Sequence, residues 1–95
     1  MSVEQEDQAW QRLDKFLVFA RFNKTRSEAG AAIAAGRVRI NRLATDKPHF
    51  KIRPGDVLTL TLPRGVRVVR VRALARRRGP ASEAAGLIEE IGEAG

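Results

Sequence analysis

The sequence predicts an α+β domain: a helix–helix hairpin packed on a small, mainly antiparallel sheet, with a C-terminal helix. Three observations carry that expectation. Apolar residues recur at three- and four-residue spacing in the first third of the chain. The period changes to two after Gly36, where Val38 and Ile40 alternate with Arg37, Arg39 and Asn41. Two β-rich runs, Val57 to Leu62 and Val66 to Leu74, flank the short connection Pro63-Arg64-Gly65.

The first helix is expected over Gln8 to Phe22. Trp10, Leu13, Phe16, Leu17 and Ala20 make one apolar stripe, with Arg12, Lys15 and Phe19 on a neighbouring face. Asn23 is the expected left-handed stop. The second helix starts at a capping box, Thr25-Arg26-Ser27-Glu28, with Thr25 as N-cap. Ala29, Ala32 and Ile33 form its buried stripe and Gly36 ends it. Its alanines permit close helix packing and leave no bulky side chain in the way of a ligand.

Asn41 ends the first strand as a left-handed turn residue, or binds ribose or phosphate. Leu43 to Arg53 reads as irregular. Pro54-Gly55-Asp56 reads as a type II turn. The two following runs should pair as an antiparallel hairpin, with a bulge where alternation breaks at Val68-Val69. The expected C-terminal helix runs from Pro80 to Gly92, with Leu87, Ile88 and Ile91 docked on the body.

Charge narrows the function. All 18 Lys and Arg of the 95 residues lie between Arg12 and Arg78, against Asp14, Glu28, Asp46 and Asp56, a surplus of 14 positive charges. The flanks hold the remaining acids and no cation. Such a segment repels itself and gains from a polyanion, so nucleic acid is the expected partner. No run approaches the ~20 apolar residues of a membrane span, the N-terminus is wrong for a signal peptide, and a cytoplasmic protein without membrane contact is expected. With no cysteine and one histidine, His49, no metal site, cofactor or catalytic constellation is expected. With no Tyr and 5% aromatics, the chain is poor in stacking platforms. Structured RNA, held through phosphates and 2′-hydroxyls, is favoured over single strands, with weak binding to duplex DNA as an alternative.

Arg12 and Lys15 on the first helix, Lys24, Thr25 and Arg26 at the start of the second, and Arg37 and Arg39 beyond its end are the candidate RNA contacts. A helix N-terminus favours phosphate. The run Arg76-Arg77-Arg78 would extend the footprint.

The stretch RLDKFLVFARFNKTRSEAGAAIAAGRVRIN resembles the S4-type RNA-binding domain, or αL motif. The marks are Arg12-Leu13-Asp14-Lys15, Lys24-Thr25-Arg26-Ser27 and Gly36-x-Val38-x-Ile40-Asn41, with Pro54-Gly55-Asp56 before a strand. Within that family, RLDKFL, ARFNKTRS and Arg78-Gly79-Pro80 resemble the fifteen-kilodalton, ribosome-associated heat shock proteins. That resemblance implies non-enzymatic binding of ribosomal RNA on free large subunits still carrying peptidyl-tRNA, in recycling after heat stress. Carried over by position, it adds Arg21, Ser27 and Asn41 to the RNA-facing candidates. The family commonly has Gly after the strand-ending Asn, where this chain has Arg42. Its fifteen-kilodalton members carry a longer, basic C-terminal extension, where residues here are acidic. The same domain occurs on RNA-modifying enzymes, so the alternatives are an RNA-holding subunit of such an enzyme or a general nucleic-acid-binding protein that also takes DNA. The expected organisation is an acidic lead over 1–11, the RNA-binding domain over 12–75, and a basic loop with an acidic helix over 76–95, in a monomer.

Overall fold

The computed structural model describes residues 10–93. The acidic lead before Trp10, and with it the expected start of the first helix at Gln8, lies outside the described residues. In chain order the elements are β1 (Gln11–Arg12), α1 (Leu13–Phe19), α2 (Arg26–Ala34), β2 (Val38–Ile40), β3 (Leu43–Ala44), β4 (Lys51–Ile52), β5 (Val57–Leu62), β6 (Gly65–Val71), α3 (Ala81–Ala85) and β7 (Ile88–Glu93).

The expected first helix is shortened at both ends. Gln11 and Arg12 are extended and pair antiparallel with Ile52 and Lys51 of β4. The first N–H groups of α1 then find acceptors outside the helix: Leu13 donates to the Phe50 carbonyl at 2.8 Å and Asp14 to that of Pro48 at 3.0 Å. Trp10 therefore leaves the stripe and lies half-buried, with the Lys51 ammonium 4.5 Å from its ring centroid. At the other end the left-handed residue is Arg21, at φ 67°, and not Asn23. Phe22 N–H reaches back to the Leu17 carbonyl and Arg21 N–H to that of Val18. This is a Schellman closure built on an arginine.

The second helix follows its expectation. Thr25 is extended and its hydroxyl accepts from the Glu28 N–H at 3.1 Å. The Glu28 carboxylate answers one residue earlier than a capping box prescribes, accepting from the Lys24 N–H at 3.2 Å. Gly36 takes φ 78°, and the bonds from Gly36 to Ile33 and from Arg37 to Ala32 repeat the Schellman closure of α1.

The main sheet is antiparallel in the order β3-β2-β5-β6-β7. Val38, Ile40, Leu58, Leu60, Val69 and Val71 point from one face into a core shared with Leu13, Phe16, Leu17, Ala29 and Ile33 of the helices. The hairpin of β5 and β6 forms as expected. Gly55, at φ 100°, serves the turn before β5.

The expected C-terminal helix is corrected. Only Ala81–Ala85 are helical, and Ile88–Glu93 form a strand against β6. The three-residue spacing of Ile88 and Ile91 mimics a helix period. Here it arises because Val68 pairs with Gly92 and Val69 with Glu90, which leaves Ile91 as the extra residue of a bulge. The bulge expected in the β5–β6 hairpin does not form there, since its register runs unbroken through Val68 and Val69; the bulge lies in the next strand pair, with its extra residue on β7. The strand is held by its ladder with β6 and by Ile88 packed against the core, and two ion pairs cross it: Arg70 with Glu89 at 3.2 Å, and Arg67 with both oxygens of Glu90.

Candidate nucleic-acid interface

The short connection between α1 and α2 brings the first turns of the two helices together around Asp14. This carboxylate is 4% exposed. Arg12 grips it from before α1, Nε to Oδ1 at 3.1 Å and Nη2 to Oδ2 at 2.9 Å. Its Oδ1 also accepts from the Lys15 N–H at 2.7 Å, and Arg26 of α2 reaches Oδ2 at 3.5 Å. Burial alone would push the Asp14 carboxyl up. The hydrogen bond from Arg12, the Lys15 N–H and the charges of Arg12 and Arg26 outweigh it and hold the group below its ordinary value. Arg12 and Arg26 keep roughly two-fifths and half of their side-chain surface in water. Asp14 thus neutralises part of their charge while fixing where the guanidinium groups sit.

Lys15, Lys24, Thr25 and Ser27 are exposed around this cluster. The N–H groups of Arg26 and Ser27 precede the capped N–H of Glu28, so α2 itself offers them no partner. Arg21 is exposed too, but its Nε is tied to the Gly79 carbonyl at 3.1 Å, which anchors the loop before α3.

Arg37 and Arg39 leave the other end of α2 and diverge. Arg39 alternates with buried Val38 and Ile40, so it stands on the sheet face away from the helices. The sequence groups these two arginines with the helix N-termini as a single surface. The structure brings Arg12, Lys15 and Arg26 together and sets Arg39 apart from them.

Asn41 is a turn residue, at φ 52°. Its Nδ2 donates to Asp56 Oδ1 at 3.1 Å and its Oδ1 accepts from the Val57 N–H at 2.9 Å. Asp56 Oδ2 in turn accepts from the Arg53 N–H at 2.8 Å. The motif asparagine therefore locks the end of β2 to the Pro54-Gly55-Asp56 turn. Arg42 follows at φ 74°, a conformation that suits the glycine common at that position.

Sequence reasoning missed Asp14 as the organiser and Glu83, Glu89 and Glu90 as partners of Arg77, Arg70 and Arg67. A signal for the first was present: Asp14 precedes Leu17 by three residues, on the edge of the apolar stripe, beside Arg12. Among the described residues no group of acids and His49 is arranged to hold a metal ion, and no helix is long and apolar enough to cross a membrane.

Comparison with known proteins agrees with this geometry. The S4 domain family matches residues 11–58. Heat shock protein 15 of Escherichia coli K12 is 44% identical over 82 residues, which cover 86% of this chain and 61% of that protein. The chain thus spans about three-fifths of the length of this relative. An uncharacterized RNA pseudouridine synthase of Bacillus subtilis, YlyB, is 36% identical over 58 residues, 61% of this chain and 19% of that protein. Among solved structures, the trimeric heat shock protein 15 of Vibrio cholerae superposes with a TM-score of 0.80 at 33% identity, covering 85% of this chain and 81% of that one. The helix hairpin, the Asn41 turn and these matches lead to one conclusion: the chain belongs to the S4 domain family.

Proposed function

We propose that the protein is a non-enzymatic binder of structured ribosomal RNA. Its site is on the free large ribosomal subunit carrying peptidyl-tRNA, in recycling after heat stress. Membership of the S4 family and the likeness to heat shock protein 15 support this reading. The observation that carries it is how the charge is partitioned. The C-terminal glutamates pair with Arg67, Arg70 and Arg77, whereas Lys15, Lys24, Arg37 and Arg39 form no ion pair among the described residues. The cations flanking α2 are thus left free to meet phosphates.

Around the α2 N-terminus, phosphate oxygens would receive the Arg26 and Ser27 N–H groups, with Lys15, Lys24, Arg12 and Arg26 supplying charge. Thr25 keeps its hydroxyl proton to donate, since its oxygen is the acceptor for Glu28. Asn41 and Arg21 act through the backbone they hold. No cofactor takes part, and the protein works in the cytoplasm. The trimeric Vibrio cholerae neighbour speaks against the monomer expected from sequence.

Sedimentation of a heat-stressed lysate tests the reading. The protein should travel with free large subunits, and structured RNA should compete for it better than an unstructured polymer of equal length. Absence from the subunit fractions would remove the ribosomal assignment. The likeness to a pseudouridine synthase favours a second reading, an RNA-holding subunit of a modifying enzyme. A catalytic partner recovered in a pull-down would support it.

A further inference from the structure

A cleft of about 570 Å³ opens between the helix hairpin and the end of β5. One wall is the alanine face of α2, with Ala31 and Ala35 exposed. The facing wall is Leu62 and Pro63, and the ring of Phe22 also lines it. Asn23, Glu28, Arg37 and Thr61 bring polar groups to the same space. Its volume falls among small-ligand sites, which run from about 300 to 1,000 Å³.

We infer that this cleft takes the base of an unpaired nucleotide, bulged or looped out of the RNA held on the helix hairpin, with Arg37 on its phosphate. The inference rests on the RNA reading above. The walls expose alkyl groups and one aromatic ring, which suit the flat apolar faces of a base and not a charged backbone. The polar side chains suit the edge of a base. Glu28 uses one carboxylate oxygen on the Lys24 N–H and keeps the other as an acceptor for a base amino or imino group.

Charge selects a nucleotide over an apolar peptide. Arg37 is in the wall, Lys24 follows Asn23 and Arg64 follows Pro63, and none of the three has an ion-pair partner among the described residues. An apolar segment would fill the walls and leave these cations unused. An extruded nucleotide uses both. A base already unpaired costs least to insert. The alanines bracketed by cations thereby gain a second role: their small side chains keep the cleft open.

The test is a titration of two RNA hairpins that differ only in a single bulged nucleotide, at fixed salt. Wild-type protein should bind the bulged hairpin about tenfold tighter, the lower part of what one stacked base contributes. Ala31→Leu fills the cleft from an exposed helical position, where Leu and Ala have similar propensity. It should abolish the preference and leave affinity for the uninterrupted hairpin unchanged. Ala35→Leu repeats the test from the C-cap of α2, and thermal melting checks that both variants fold. Equal affinity of the wild type for both hairpins would overturn the inference and leave the cleft to a protein segment. A preference retained in both folded variants would overturn it as well. Failure to bind either RNA would instead remove the RNA reading itself.

Discussion

The Arg12 guanidinium holds the buried Asp14 carboxylate by two bonds, at 3.1 and 2.9 Å, from the residue that caps α1. Arg26 touches the same carboxylate only at 3.5 Å and from a more exposed position. The two arginines share a partner but differ in what their loss costs.

Arg12→Ala leaves a buried carboxylate with its best donor gone. It should destabilise the fold by about 1.5–3 kcal/mol, the range for a hydrogen bond to a charged group. Arg26→Ala removes one weak, half-exposed contact and should cost within about 1 kcal/mol. Denaturant unfolding of the two variants checks the order. Equal losses would mean that Asp14 is not organised chiefly by Arg12.

The lowered Asp14 carboxyl links this cluster to pH. A carboxyl held below its unfolded value binds its proton less readily when folded. Its stabilisation is therefore complete above the unfolded value, near 3.8, and is lost as pH falls through the folded one. Asp14→Asn should be less stable than wild type at neutral pH, and the gap should close as pH drops below about 4. Unfolding curves of both proteins from pH 7 to pH 2.5 measure it. A constant gap would show that the carboxylate charge contributes nothing.

Across the last strand pair of the sheet, Glu89 and Glu90 occupy Arg70 and Arg67. Replacing both acids by Gln should cost little stability, since exposed pairs contribute about 0–1 kcal/mol each. It should also free two cations beside the RNA footprint. Affinity for structured RNA at low salt should rise, and the dependence of log affinity on log salt should steepen by up to two contacts, about 0.7–0.9 each. Unchanged affinity would place β6 outside the reach of bound RNA.

Helix two, β2 and the hairpin of β5 and β6 were legible in the sequence because local chemistry decides them. Thr25 and Glu28 close one end of α2, Gly36 the other, and Val38–Ile40 alternate in and out. Helix one and the C-terminal segment were misread because partners distant in sequence override the local pattern. Gln11 and Arg12 belong to Ile52 and Lys51, and Glu89 and Glu90 belong to β6. The candidate site divides in the same way. A capping box shows Thr25 from its neighbours, but the place of Asp14 at the edge of the apolar stripe only hints at its burial, and nothing local reveals that Arg26 of the next helix reaches it or that Arg39 faces away from Arg26.

The central claim is that uncompensated cations of the helix hairpin hold structured RNA through its phosphates. The direct measurement is RNA affinity over a range of salt for wild type and for the combined Lys15→Ala, Lys24→Ala and Arg37→Ala variant, whose residues form no ion pairs among the described residues. Removing three phosphate contacts should flatten the dependence of log affinity on log salt by roughly two to three. The melting temperature should stay within a few degrees of wild type, as expected for exposed substitutions. A folded variant with the salt dependence of the wild type would contradict the claim.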